Sequence, residues 1–211
     1  MRRYNKAMRA SSVFIAVFLT AAAAAPQSGM AQPAPPRSAP PAGAPSTPAD
    51  PEKASLDRLF ERLAASQDAD ETKGITRLIE RRWLQSGSDT ADLLMSRAVA
   101  AAASDKDELA IELLDRVLAL EPNWAEAWNK RAMVFTSLGD EEHAILDLRQ
   151  AVAREPRHYV AWTGLGVLFR EAGDKKAALA AYERALAIAP HLPDVEKAVK
   201  ELKIEVDGRD I

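Results

Sequence analysis

His143, His158 and His191 offer this sequence its most direct route to chemistry, because an imidazole can act as general base, nucleophile or metal ligand. None lies three or four residues from another, so no helix face presents two of them together. His158 and His191 fall in successive turn regions and are expected as exposed loop residues; two imidazoles without a supporting carboxylate hold a metal weakly, and no metal site is expected. The run Asp140-Glu141-Glu142 stands where a helix begins, and negative charge there complements the helix dipole without a catalytic duty. Ser104 and Ser137 have no base placed to activate them. The absence of cysteine excludes disulfides, thiolate metal sites and a catalytic thiol, and no glycine-rich phosphate loop occurs. Neither enzymatic activity nor a cofactor is expected. Lys73, Arg77 and Arg81 recur every four residues as a cationic stripe, which by default is a solvated helix face. No aromatic residue is interleaved with them, so base stacking has no support.

Charge and composition narrow the classes further. The chain has 211 residues, with 28 Lys and Arg against 31 Asp and Glu, a near balance that argues against binding nucleic acid through bulk charge. A cationic start containing Arg2, Arg3, Lys6 and Arg9 runs into the apolar stretch from Val13 to Ala25 and then into small residues, the layout of a secretory signal peptide. Cleavage is expected after Ala31, with a cut near Ala25 as the alternative. Removing those four cations leaves 24 basic against 31 acidic residues, a net charge of −7. The expected location is the bacterial periplasm. Residues 32–52 form a linker: from Gln32 to Pro51, eight of twenty residues are proline and none is a large hydrophobe, so the stretch has nothing to bury and reads as a semi-rigid spacer.

The elements that position everything else begin after Pro51. Apolar residues at helical spacing predict one helix over 53–66 (Leu56, Leu59, Phe60, Leu63) and a second over 70–86 (Ile75, Leu78, Ile79, Trp83), an N-terminal pair spanning 53–88. A period then takes over. Pro122, Pro156 and Pro190 lie 34 residues apart, and the blocks 89–122, 123–156 and 157–190 superimpose without a gap. Gly139-Asp140 and Gly173-Asp174 each supply a left-handed helix stop followed by an N-cap, so each block folds as two antiparallel helices. Asp105 takes the glycine position in the first block, and Asn123 with Glu126 resembles a capped helix start. Residues 191–211 carry a last helix, about Asp194 to Glu205, that is expected to cap the stack.

The third block carries Trp162, Leu165, Gly166, Phe169, Ala178, Tyr182, Ala185 and Pro190; the second has Trp128, Ala132, Phe135, Ala144, Leu148, Ala151 and Pro156, with Arg131 in place of the usual leucine. This pattern resembles the tetratricopeptide repeat family. The resemblance implies an all-α fold, an α-α superhelix of three to four helix hairpins plus a C-terminal capping helix, with first helices lining a concave groove that receives peptides. The groove residues it implies are Met95, Val99, Asn129, Met133, Thr136, Thr163, Val167 and Arg170, with Ala102 beside them. Family members that clamp the C-terminal carboxylate of cytosolic heat-shock chaperones use Lys, Asn and Arg; this chain has Met95, Val99, Lys130, Val160 and Gly164 at the matching positions, so that clamp is not implied. The expected function is a periplasmic scaffold or adaptor that binds a peptide segment of an envelope protein, with no nucleic acid and no membrane span after signal cleavage. A carrier or sensor of a small envelope ligand, held in an enclosed helical pocket, is the alternative.

Overall fold

The computed structural model describes residues 51–208; the expected signal peptide and most of the linker lie outside the described residues. Among the described residues there are nine α-helices: α1 (Pro51–Ala64), α2 (Ala69–Trp83), α3 (Asp89–Ala102), α4 (Asp107–Leu120), α5 (Ala125–Ser137), α6 (Glu141–Arg154), α7 (Tyr159–Glu171), α8 (Lys175–Ile188) and α9 (Pro193–Asp207). None is long and apolar enough to cross a membrane. α1 starts inside the expected linker, because Pro51 suits the first helical turn, where its missing N–H leaves nothing unpaired.

The three 34-residue blocks are the hairpins α3–α4, α5–α6 and α7–α8, stacked so that α4 packs on α5 and α6 on α7. Each hairpin turns on a residue in the left-handed region, Asp105 (φ 54°), Gly139 (φ 73°) and Gly173 (φ 80°), where glycine carries no steric penalty. Asp140 and Asp174 then accept the N–H groups of His143 and Ala177 and cap the second helices. The expected cap at Asn123 does not form. α5 starts after Trp124 with no side-chain cap, and Glu126 is drawn into the interior.

Within each hairpin, close packing is set by a size match. Where Ala98 and Ala132 share cores with Leu114 and Leu148, Gly166 lies against the larger Tyr182, whose ring would sit 2.6 Å from an added Cβ. Between hairpins, the indole N–H groups of Trp128 and Trp162 donate to the carbonyls of Pro122 and Pro156, tying each first helix to the end of the preceding block. The departure at Arg131 has a partner: its guanidinium grips buried Asp147 through two hydrogen bonds (2.7 and 2.8 Å), reaches Asp115 of the preceding block, and lies over the rings of Trp128 and Phe135. α9 covers the end of the array, burying Val195, Ala198, Val199 and Leu202 in the core that holds Tyr182 and Ala185.

The N-terminal pair does not continue the stack. α2 crosses the turns that join successive blocks: Thr72 donates to the carbonyl of Pro190, Tyr159 donates to Glu80, and Trp124 donates through its indole to the carbonyl of Trp83. α1 is held beside it where Arg157 pairs with Asp57 and lies over Phe60, 4.2 Å from the ring centre. This seat buries Phe60, Leu63, Ile75, Ile79 and Trp83. It also corrects an expectation: His158, foreseen as an exposed loop residue, has 0% exposure because α2 lies over its turn.

Candidate functional site

The first helices α3, α5 and α7 share a face, and two hollows open on it. One, of about 290 Å³, is lined by Val99, Ala102, Leu114, Lys130 and Met133. The other, of about 330 Å³, is lined by Asn129, Met133, Thr136, Leu148, Thr163 and Val167. Met133 belongs to both and is 52% exposed, an exposure that makes it a ridge between two apolar depressions rather than a core residue.

Six of the eight expected groove residues thus gather at these hollows. The other two do not. Met95 is 2% exposed and fills the core it shares with Leu114 and Val134, so it cannot present its thioether to a ligand. Arg170 is exposed on α7 but lines neither hollow. Leu148 and Gly164 were missed. Leu148 sits on a second helix, the kind of element whose apolar side chains pass for core, and it reaches the second hollow because Gly164 has no side chain to cover it; an added Cβ there would lie 3.0 Å from Leu148 Cδ1.

Beneath the groove lies a buried polar cluster. Glu126 accepts from His158 Nε2 (2.8 Å) and Asn129 Nδ2 (3.2 Å) through one carboxylate oxygen and pairs with Lys130 Nζ (3.0 Å) through the other. His158 Nδ1 accepts the backbone N–H of Ala161, so the imidazole proton sits on Nε2 and points at the carboxylate. Burial alone would raise the Glu126 pKa; the His158 and Lys130 contacts outweigh it and hold the carboxyl below its usual range. Burial likewise pushes the Tyr159 hydroxyl up, reinforced by Glu80, and keeps it a proton donor to that carboxylate.

The cluster fixes what the groove offers. Lys130, the residue shared with the carboxylate-clamping pattern, is already paired with Glu126. Thr136 and Thr163 donate their hydroxyl protons to the carbonyls of Ala132 and Tyr159 on their own helices, leaving oxygens that accept. The Asn129 side-chain carbonyl is buried without a partner. The second hollow therefore has apolar walls whose polar atoms are chiefly acceptors. No group of three or more His, Cys, Asp or Glu able to hold a metal occurs among the described residues.

With this geometry in view, the comparisons with known proteins agree on a class. Residues 129–193 match the tetratricopeptide repeat family model. A TPR repeat-containing protein of Rhizobium etli is 38% identical over 87 residues, which cover 41% of this chain and 43% of that protein, so the chain spans about two fifths of the length of that relative. The TPR domain of Sgt2 from Aspergillus fumigatus superimposes with a TM-score of 0.54 at 24% identity, covering 58% of this chain and 83% of that one. The type III secretion chaperone SycD of Yersinia enterocolitica, in complex with a peptide of the translocator YopD, gives a TM-score of 0.53 at 16% identity, covering 56% and 96%. Residues 129–193 are a tetratricopeptide-repeat region, and the described residues form an all-α superhelical fold similar to that of tetratricopeptide-repeat domains.

Proposed function

We propose that this protein is a non-enzymatic adaptor of the bacterial envelope whose concave face binds a segment of another polypeptide. One observation carries it: Met133, half exposed, stands between two apolar hollows on the face formed by α3, α5 and α7. Exposed apolar surface of this kind marks a site that a partner can bury. The acceptor oxygens of Thr136 and Thr163 suit the unpaired backbone N–H groups of an extended segment, and the paired Lys130 disfavours recognition of a terminal carboxylate. The complex of SycD with a YopD peptide supports a similar use of a similar fold. A carrier of a small ligand would need an enclosed cavity, whereas Met133 leaves both hollows open to solvent.

The test is site-specific photocrosslinking in cells. A photoreactive side chain at Thr136 is expected to trap an envelope polypeptide from the periplasmic fraction, and Met133→Glu or Val99→Glu to abolish the adduct while far-UV circular dichroism stays unchanged, since both positions are exposed. An adduct that persists in both variants, or a chain retained in the cytoplasm, would overturn the proposal.

A further inference from the structure

The outward face of α2 remains without a role. Lys73, Arg77 and Arg81 are all exposed there, and none takes part in an ion pair among the described residues. At 1.5 Å rise per residue, they form a strip about 12 Å long. Like charges spaced by four residues repel one another on a helix; Asp70 and Glu80, three residues from Lys73 and Arg77, offset this only in part, and neither forms an ion pair with the strip among the described residues. Glu80, the acidic residue nearest the strip's centre, gives its carboxylate to the Tyr159 hydroxyl at 2.8 Å. Asp70 stands at the helix start, where it complements the dipole. Two leucines flank the strip in the open, Leu78 at 42% and Leu84 at 40% exposure.

The geometry points to a membrane-surface contact: α2 lays its outward face on a bilayer rich in anionic phospholipid. Charge complementarity selects an anionic partner, and shape selects among anionic partners. The strip runs along the outside of one helix, so it offers no cleft to grip an acidic chain but meets a flat surface along its length. Exposed leucines beside cations suit the boundary between headgroups and acyl chains, whereas a hydrated acidic polypeptide leaves them in water. The opposite face of α2 is fixed on the repeat array through Thr72, Trp83 and Tyr159, so the strip is presented on a rigid support. Neither hollow of the groove is lined by α1 or α2, which lets lipid contact and polypeptide binding coexist.

Co-sedimentation of the full chain with phosphatidylcholine vesicles, with and without phosphatidylglycerol, tests this. Three cations near an anionic surface are expected to raise partitioning on the order of 100-fold, an effect lost at high salt. K73E/R77E/R81E, and the milder K73Q/R77Q/R81Q, should remove that gain without loss of helicity, leaving only the response due to Arg2, Arg3, Lys6 and Arg9. The apolar stretch from Val13 to Ala25 is common to all three proteins, so their difference reports the strip alone. Equal partitioning of wild type and both variants would overturn the inference. So would retention of the wild type on immobilised polyglutamate without phosphatidylglycerol-dependent vesicle binding, which would assign the strip to an acidic polypeptide.

Discussion

The imidazole of His158 lies flat against the indole of Trp83, ring centroids 4.1 Å apart and planes 12° from parallel. The first residue caps the start of α7 and the second ends α2, so the stack joins two segments the chain keeps far apart. Around it, Trp83 also meets Tyr159 and Phe60. Its indole N–H is buried with no partner, so the ring is there for its faces and area rather than for a hydrogen bond.

Truncating that ring should therefore release the N-terminal pair. Trp83→Ala is expected to cost about 3–5 kcal/mol, and the loss should be local, because repeats draw their stability from nearest neighbours. Limited proteolysis is the measurement: cleavage should fall within 51–88 and leave a protected fragment starting near Asp89. Trp83→Phe keeps a stacking face and removes the unpaired N–H, so its cost should stay below about 1.5 kcal/mol. Uniform cleavage along the Trp83→Ala chain would show instead that the pair and the array unfold as one unit.

This contact marks the limit of what the sequence discloses. The 34-residue period, the Gly-Asp turns and the cap over Tyr182 are legible because they are local: spacing, φ preference and a closing helix follow from neighbouring residues. The seat of α1 and α2 is not local. Ile75, Ile79 and Trp83 announce a buried face, but periodicity does not say which surface buries it, and a preceding repeat would have satisfied it equally. The burial of His158 follows from that seat and was hidden with it. At the groove, six residues on the first helices were legible by register, whereas Met95, one turn before Val99, turns into the core and Arg170 is exposed outside both hollows. Leu148 was not legible, because this core residue forms part of the floor of the hollow only where Gly164 in the next repeat has no side chain above it.

The buried cluster predicts a pH dependence with a definite sign. Glu126 has a folded pKa below its reference value of 4.5, so its contribution to stability is fully present above that value and is lost as pH falls through the folded pKa. Urea denaturation of Glu126→Gln should show a loss of about 2 kcal/mol at neutral pH, where Lys130 loses its counter-charge and His158 keeps only a neutral acceptor. The gap between variant and wild type should narrow below about pH 4.5, since other acid-titrating groups such as Asp140 are common to both. A gap that widens on acidification would mean that the carboxyl is protonated in the folded protein at neutral pH.

The pair Arg131 and Asp147 makes the last prediction, and it concerns how the second repeat holds an arginine where the third repeat carries Leu165. Asp147 is 4% exposed at a position where the neighbouring repeats carry Leu113 and Ala181, and a carboxylate there is tolerable only because Arg131 meets it with two hydrogen bonds. Arg131→Leu restores the familiar residue, yet it should destabilise by about 3–5 kcal/mol because it strands a buried charge. Asp147→Ala alone should cost less, since Arg131 is partly exposed and keeps Asp115 and the rings of Trp128 and Phe135. The double variant replaces the pair by apolar residues and should recover most of the loss. A double-mutant cycle in urea measures the coupling, expected at about 2 kcal/mol or more. Additive losses would show that each side chain is held by its other neighbours, and that the Arg-for-Leu exchange does not depend on the carboxylate across the hairpin.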